Sequence, residues 1–284
     1  MNSTSPDKTR GYLVPIVTIQ QVLDCLDLKP TESGFMGENL PIDYHRVFGG
    51  QLLAQAIVAA TSTAEGKVPK SLHASFCREG DPSQPITYDV RAAHDGRAFA
   101  TRGITAHQDE RIISEMVVSL VKPAEAALEY GVPTAPPGPP ETGAVDLVMV
   151  PFESRLADGV EFDSTSAEVA ELVIWMHGAD LPDDETTQRA VLSYLTNPTL
   201  IGTAMRALDG ISVNAAYATM QTAVTTHNLW FHRPLDLDGW FVLDQSVPIA
   251  AGGQAFGGGH VFDRSGALVA SYAQESMIRK AARS

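Results

Sequence analysis

Two glycines, Gly49 and Gly50, stand just before an apolar run from Leu52 to Ala60 that only Gln55 interrupts. A run with no polar face reads as a helix enclosed by other structure. The first N–H groups of a helix have no partner within it, and glycine has no Cβ to hold a ligand away. Two readings stay open. The Gly49 and Gly50 N–H groups are donors for negative charge developing on a carbonyl oxygen, or the glycines only let the helix pack tightly on a sheet. Other reactive residues are sparse. Asp43 precedes the glycines and Asp244 follows Trp240 in a strand-like stretch; each is a solvated turn or strand residue first and a candidate acid second. His45 and His73 read as packing or hydrogen-bonding side chains. His227 and His232, five apart in a strand-like segment, face opposite ways, which does not suit a metal site. Asp180, Asp183, Asp184 and Glu185 lack the spacing and glycine of a calcium loop. There is no Gly-x-Ser-x-Gly elbow. Gly252-Gly253 and Gly257-Gly258-Gly259 precede no helix, so they are not a dinucleotide loop, and they read instead as a bulge or a point of sheet curvature. No motif asks for a metal or a cofactor.

The elements that must position these residues follow from periodicity. Ile19, Val22, Leu23 and Leu26 recur at helical spacing after Thr18, a suitable N-cap. After the apolar helix come strand patterns around Leu72–Cys77, Thr87–Arg91, Ala98–His107 and Ile112–Val121, with turns at Asp95-Gly96 and Asp109-Glu110. Pro133, Pro136, Pro137, Pro139 and Pro140 then mark an extended linker. Beyond it, Ala170–Met176 is strand-like and Thr186–Leu208 is a long helical stretch. Leu229–Phe231, Trp240–Val247, Gln254–Phe262 and Leu268–Ile278 read as strands. Pro198 interrupts the helical stretch: it removes a hydrogen bond and disfavours helical geometry at Asn197. A kink or restart is expected there, with Asn197 a candidate N-cap of the second segment.

The plan occurs twice. Phe76-x-Arg78 and Phe231-x-Arg233 lie 155 residues apart, Arg97-Ala98-Phe99 and Gln254-Ala255-Phe256 lie 157 apart, and the Asp109 and Asp263 turns lie 154 apart. Such an offset implies a duplicated unit, each copy one buried helix followed by an antiparallel meander wrapped around it. The expected division is a tail at 1–16, a first unit at 17–122, a proline-rich linker at 123–147 and a second unit at 148–284. At 284 residues the chain suits two such units, and its two cysteines cannot form a disulfide framework. The net charge of −14 argues against a nucleic-acid or anionic-membrane surface. No apolar run is long enough to span a bilayer, and no export signal is visible, so a cytoplasmic protein is expected.

Specific stretches carry a family resemblance. His45-Arg46-Val47-Phe48-Gly49-Gly50-Gln51 resembles the opening of the central helix of the type II acyl-CoA thioesterases. In the family's order follow Phe76–Asp81, Pro85–Val90, Asp95–Phe99, Leu181–Asp184, Trp230–Pro234, and Val269–Ser271 with Gln274-Glu275. The likeness runs from about residue 17 to 280. It implies an α+β double hotdog fold and hydrolysis of acyl-CoA to a free acid and CoA, with an apolar tunnel for the acyl tail and association of protomers into a homo-oligomer. Gly49 and Gly50 then become the oxyanion donors, and the late glycines gain a second possible use beside the pantetheine arm. Arg46, Arg78 and Arg233 become candidates for the CoA phosphates.

The family's water site is an Asp, a Thr or Ser, and a Gln. The Gln is present as Gln274. The Asp position holds Asn197, and the hydroxyl position holds Val224, with Thr225 next to it as the nearest hydroxyl. An amide orients water but is no base near neutral pH. The candidate catalytic residues are therefore Gln274, Asn197 and Thr225, and two functions stay open: a thioesterase, or an acyl-CoA binder that kept the fold and lost catalytic power.

Overall fold

In the computed structural model the described residues are 17–124, 128–131, 134–157, 160–213 and 219–280. The expected N-terminal tail and Pro133 of the linker lie outside them.

The first half begins with helix α1 (Ile19–Asp24), which Thr18 caps: its hydroxyl accepts from the Gln21 N–H while the Gln21 side chain accepts from the Thr18 N–H. Short strands β1 (Lys29–Pro30) and β2 (Gly34–Gly37) precede helix α2 (Gly49–Thr61). Ten of its thirteen residues are buried, among them Leu52, Leu53 and Ile57. Fully burying each such side chain is worth roughly 1.5–3 kcal/mol. The enclosing meander is β3 (Val68–Phe76), β4 (Ile86–Asp95), β5 (Phe99–Gln108) and β6 (Arg111–Val121). On β5 the inward positions Ala100, Ile104 and Ala106 alternate with outward ones, the period of two that a half-buried strand requires.

The second half runs through β7 (Ala144–Val145), β8 (Glu153–Leu156), β9 (Glu171–Gly178), helices α3 (Glu185–Leu195) and α4 (Thr199–Met205), then β10 (Met220–Phe231), β11 (Gly239–Ala251), β12 (Gln254–Phe262) and β13 (Leu268–Lys280). Three sequence expectations need correction. Strand β7 forms inside the stretch expected as linker. Strand β10 begins nine residues before Leu229, because the β-branched residues Thr222, Val224, Thr225 and Thr226 favour strand without alternating in polarity. The long helical stretch breaks at Pro198 into two helices, as expected, but Asn197 does not cap the second: Pro198 holds that position, with no side-chain cap bond.

All strands form one sheet in the order β1-β2-β4-β5-β6-β3-β10-β13-β12-β11-β9-β8-β7. The halves meet at an antiparallel seam between β3 and β10, with Leu72 opposite Leu229 and His73 opposite Asn228. Residues 73 and 228 differ by 155, the offset of the Phe-x-Arg repeat, so a pseudo-twofold axis passes between them. His73 Nδ1 and Asn228 Oδ1 lie 2.9 Å apart across that axis. α2 packs against α3 inside the curved sheet. This is a double hotdog, as the resemblance implies. No helix among the described residues is long and apolar enough to cross a membrane.

Candidate active site

A cavity of about 320 Å³ opens where the start of α2, the end of β3, the α3–α4 break and the first residues of β10 converge. Its walls are mostly apolar, with Val47, Phe48, Leu52, Phe76, Ile113, Val148, Met149, Ile201 and Met277 contributing. Met149 lines it from the left-handed region (φ 62°), a conformation that costs a non-glycine residue free energy.

The sequence-identified residues separate cleanly. Gly49 lines the cavity; Gly50 does not. Phe48 is the N-cap of α2 without a side-chain cap bond, so the first N–H groups of the helix are left free. A Cβ on Gly49 would come within 3.1 Å of Asn197 Oδ1 and 3.3 Å of Phe76 Cζ. At Gly50 it would lie 2.7 Å from Tyr194 O and 2.5 Å from the Phe48 ring. Of the two open readings, close approach at the cavity describes Gly49, and tight packing describes Gly50.

Asn197 sits in the three-residue break between α3 and α4, where Pro198 ends regular hydrogen bonding, and it lines the cavity. Only 2% of its surface is exposed, and its Nδ2 has no hydrogen-bond partner among the described residues. An uncommitted buried amide group is costly, on the order of 1–3 kcal/mol, unless a ligand or water supplies the partner. Val224 and Thr225 also reach the cavity. The β10–β13 register slips between Val224 and Thr226, leaving Thr225 at a bulge, and its hydroxyl donates to Glu275 O at 3.1 Å.

Gln274 lies behind this wall. It is buried, and its Oε1 faces His227 Nδ1 at 2.9 Å while its Nε2 donates to Ser276 Oγ at 3.0 Å. Burial lowers the His227 pKa to about 4, although the bond to Gln274 works against that shift. The ring is therefore neutral, with its proton on Nδ1 facing the amide oxygen. Its Nε2 accepts from Thr196 Oγ1 at 3.0 Å, a hydroxyl shared with Ser193 O at 3.2 Å. Gln274 thus reaches the α3–α4 break through His227 and Thr196, the residue next to Asn197.

At the mouth, Arg46 Nη1 donates to Glu79 Oε1 at 2.5 Å and Nη2 to Thr222 O at 2.8 Å, tying the loop before α2 to the second half. Arg78 also lines the opening, donates to Ile112 O at 3.1 Å, and has no carboxylate partner among the described residues. Arg233 lies elsewhere, paired with Glu129 at 3.1 Å. Neither Asp43 nor Asp244 lines the cavity; the carboxylate that does is Glu79. Sequence reasoning passed over Glu79, although it lies inside the Phe76–Asp81 motif. It also missed Val148 and Met149, which come from a segment with no periodic signal. The late glycines do not line the cavity either. A Cβ on Gly257 would meet Ser246 O at 2.6 Å, so close strand packing accounts for that position. Among the described residues no three His, Cys, Asp or Glu side chains cluster to hold a metal.

This arrangement can bind an apolar chain, set an amide and a helix N-terminus beside a carbonyl, and offer a cation at the mouth. Comparison with known proteins agrees. A family model described as "Acyl-CoA thioesterase N-terminal domain" matches residues 39–121, and one described as "Acyl-CoA thioesterase" matches residues 152–277. The chain is 29% identical over 266 residues to Acyl-CoA thioesterase 2 of Haemophilus influenzae, a match covering 86% of this chain and 92% of that protein. Among solved structures it is similar to the tesB protein of Mycobacterium avium subsp. paratuberculosis (TM-score 0.77, 30% identity, 92% of this chain and 99% of that one). It is also similar to the acyl-CoA thioesterase II TesB2 of Mycobacterium marinum (TM-score 0.76, 28% identity, 93% and 98%). Both halves match models of one family, and a 30% identical relative is covered almost end to end. The chain belongs to the type II acyl-CoA thioesterase family.

Proposed function

We propose that the protein hydrolyses acyl-CoA to the free acid and CoA at the junction of Gly49 and Asn197. The observation that carries this reading is the uncommitted Asn197 amide, buried beside the open N-terminus of α2 on the wall of an apolar cavity. The acyl chain occupies the cavity and the thioester carbonyl faces α2. Water attacks the carbonyl carbon, and the Gly49 N–H stabilises the oxyanion. Asn197 Oδ1 accepts a hydrogen bond from the attacking water and orients it, and the uncommitted Nδ2 donates to the thioester carbonyl oxygen. The carbon–sulfur bond then breaks, CoA leaves as the thiol, and the water's remaining proton passes to solvent at the mouth. Gln274 acts as a positioning residue through His227 and Thr196. Thr225, its hydroxyl held by Glu275 O, shapes the wall, and Arg78 meets a CoA phosphate. The fold divides for this purpose into units at 17–122 and 148–284.

Two observations favour a second reading, an acyl-CoA binder with little turnover: the water-holding side chain is an amide, and Val224 offers no hydroxyl. Missing general-base assistance costs about a hundred- to ten-thousandfold in rate. Release of free CoA from acyl-CoAs of two to eighteen carbons decides between them. Turnover above background that falls in Asn197→Ala supports the hydrolase; tight binding without turnover supports the binder. We further propose a reducing, cytoplasmic setting, supported by two free thiols, and self-association, supported by exposed Phe99 and Phe256 at matching places on β5 and β12. Sedimentation of the purified chain tests the latter.

A further inference from the structure

A second, much smaller cavity of about 20 Å³ lies behind the α3–α4 break. It shares three lining residues, Val148, Pro198 and Ile201, with the main cavity, so these form a partition with a face on each side. The far side is lined by Leu147, Phe162, Met205 and Val213, all apolar. The space is about large enough for one water, but a water needs two or more polar partners there. The polar side chain on the wall, Thr199, is already committed: its hydroxyl donates to Gln245 Oε1 at 2.9 Å. Pro198 has no N–H to offer. The cavity lining is mostly apolar and its polar side chain is committed, so a hydrocarbon end would supply contacts that the lining atoms lack. Gly202 preserves the space: a Cβ there would lie 3.2 Å from Phe162 Cζ and 3.4 Å from Val213 Cγ1.

We propose that this second cavity receives the terminal methyl group of the acyl chain and that Ile201 is the partition controlling access to it, so that Ile201 and Gly202 set chain-length preference. The inference rests on the acyl-CoA reading of the main cavity. A chain that reaches the partition gains when its end passes into the void, and one that is longer meets Phe162 and Val213.

The test is kcat/KM across straight-chain acyl-CoAs differing by two carbons, measured for the wild-type chain, Ile201→Ala and Gly202→Ala. Ile201→Ala merges the cavities, and the ratio of longer to shorter substrates rises by about fourfold per methylene newly accommodated. Gly202→Ala fills the void and moves the same ratio the other way. Opposite shifts support the proposal. Unchanged profiles, or shifts in one direction in both variants, overturn it, and the second variant keeps the test open if the first does not fold. If the wild-type chain turns over no acyl-CoA, the hydrolase reading fails on its own, and the same ratios are read from equilibrium binding by calorimetry. Absence of chain-length-dependent binding then overturns this inference as well.

Discussion

The central helix of the first half is continuous from Gly49 to Thr61; its counterpart in the second half is broken into α3 and α4. The continuous helix is defined by shape: nearly every side chain is buried, and it gives the cavity the Gly49 backbone and one apolar side chain, Leu52. The broken helix contributes a side chain. Pro198 stops the regular hydrogen bonding, and Asn197 is left buried with a free amide group at the break. Each half also buries polar groups, but differently. In the first, Gln55 sits inside α2 with Tyr88 donating to it at 2.6 Å. In the second, Gln245 comes from β11 and is held by Thr199, Thr203 and Tyr272. Duplication has kept the scaffold twice and assigned the two copies different work: one presents donors of the main chain, the other an adjustable side chain.

The contrast can be broken most severely at the adjustable side. Asn197→Asp combined with Val224→Thr supplies a carboxylate and a hydroxyl, and CoA release is expected to rise by about a hundred- to ten-thousandfold. An unchanged rate in a folded double variant would show that the break-point amide does not limit turnover. On the backbone side, Gly49→Ala sets the new methyl 3.1 Å from Asn197 Oδ1, which must shift by a few tenths of an ångström, and kcat is expected to fall about tenfold, a fraction of the loss that a full ångström brings. Its neighbour should behave oppositely. Gly50→Ala, against Tyr194 O and the Phe48 ring, is expected to cost about 1–3 kcal/mol in denaturant unfolding and to spare the rate per folded molecule. If both glycine variants lose only stability, α2 is scaffold and nothing more.

The remaining tests concern what stands behind the break. His227 has its folded pKa lowered to about 4 from 6.5, so the unfolded chain takes up the proton first as pH falls. The stability this contributes is fully present above pH 6.5 and is lost as pH drops from there to about 4, by up to about 3 kcal/mol. Thermal unfolding across that window, compared with His227→Gln, should show a shallower slope in the variant by the His227 contribution. Gln274→Ala leaves the His227 N–H without its acceptor, an expected loss of about 1–3 kcal/mol. Its kcat should fall less than that of Asn197→Ala. Complete loss of turnover in a folded Gln274→Ala protein would move the water site from the helix break to β13.

Much of this was legible in the residues. The apolar run after Gly50 could only be an enclosed helix, and the 155-residue offset of Phe76 and Phe231 pointed to a duplication, whose axis the strand register places between His73 and Asn228. Pro198 marked the helix break, since a missing N–H is a local fact. What Asn197 does there was not legible: a cap and a free amide differ only in where the next helix begins, which depends on packing around Thr199 and Gln245. Gln274 shows the same limit. Its place on a strand was plain, but its partner, His227, is 47 residues away and becomes a neighbour only through strand register. Glu79 and Met149 reach the cavity from irregular segments, where no period announces which way a side chain points.

The seam has a consequence for how the molecule comes into being. Strand β3 finds its neighbour β10 some 155 residues downstream, so on the ribosome the first half can assemble its helix and meander while one long strand edge waits unsatisfied. Contacts so distant in sequence make for slow closure. Because the cavity draws walls from both sides of that seam, none of its chemistry exists until this most distant pairing is made.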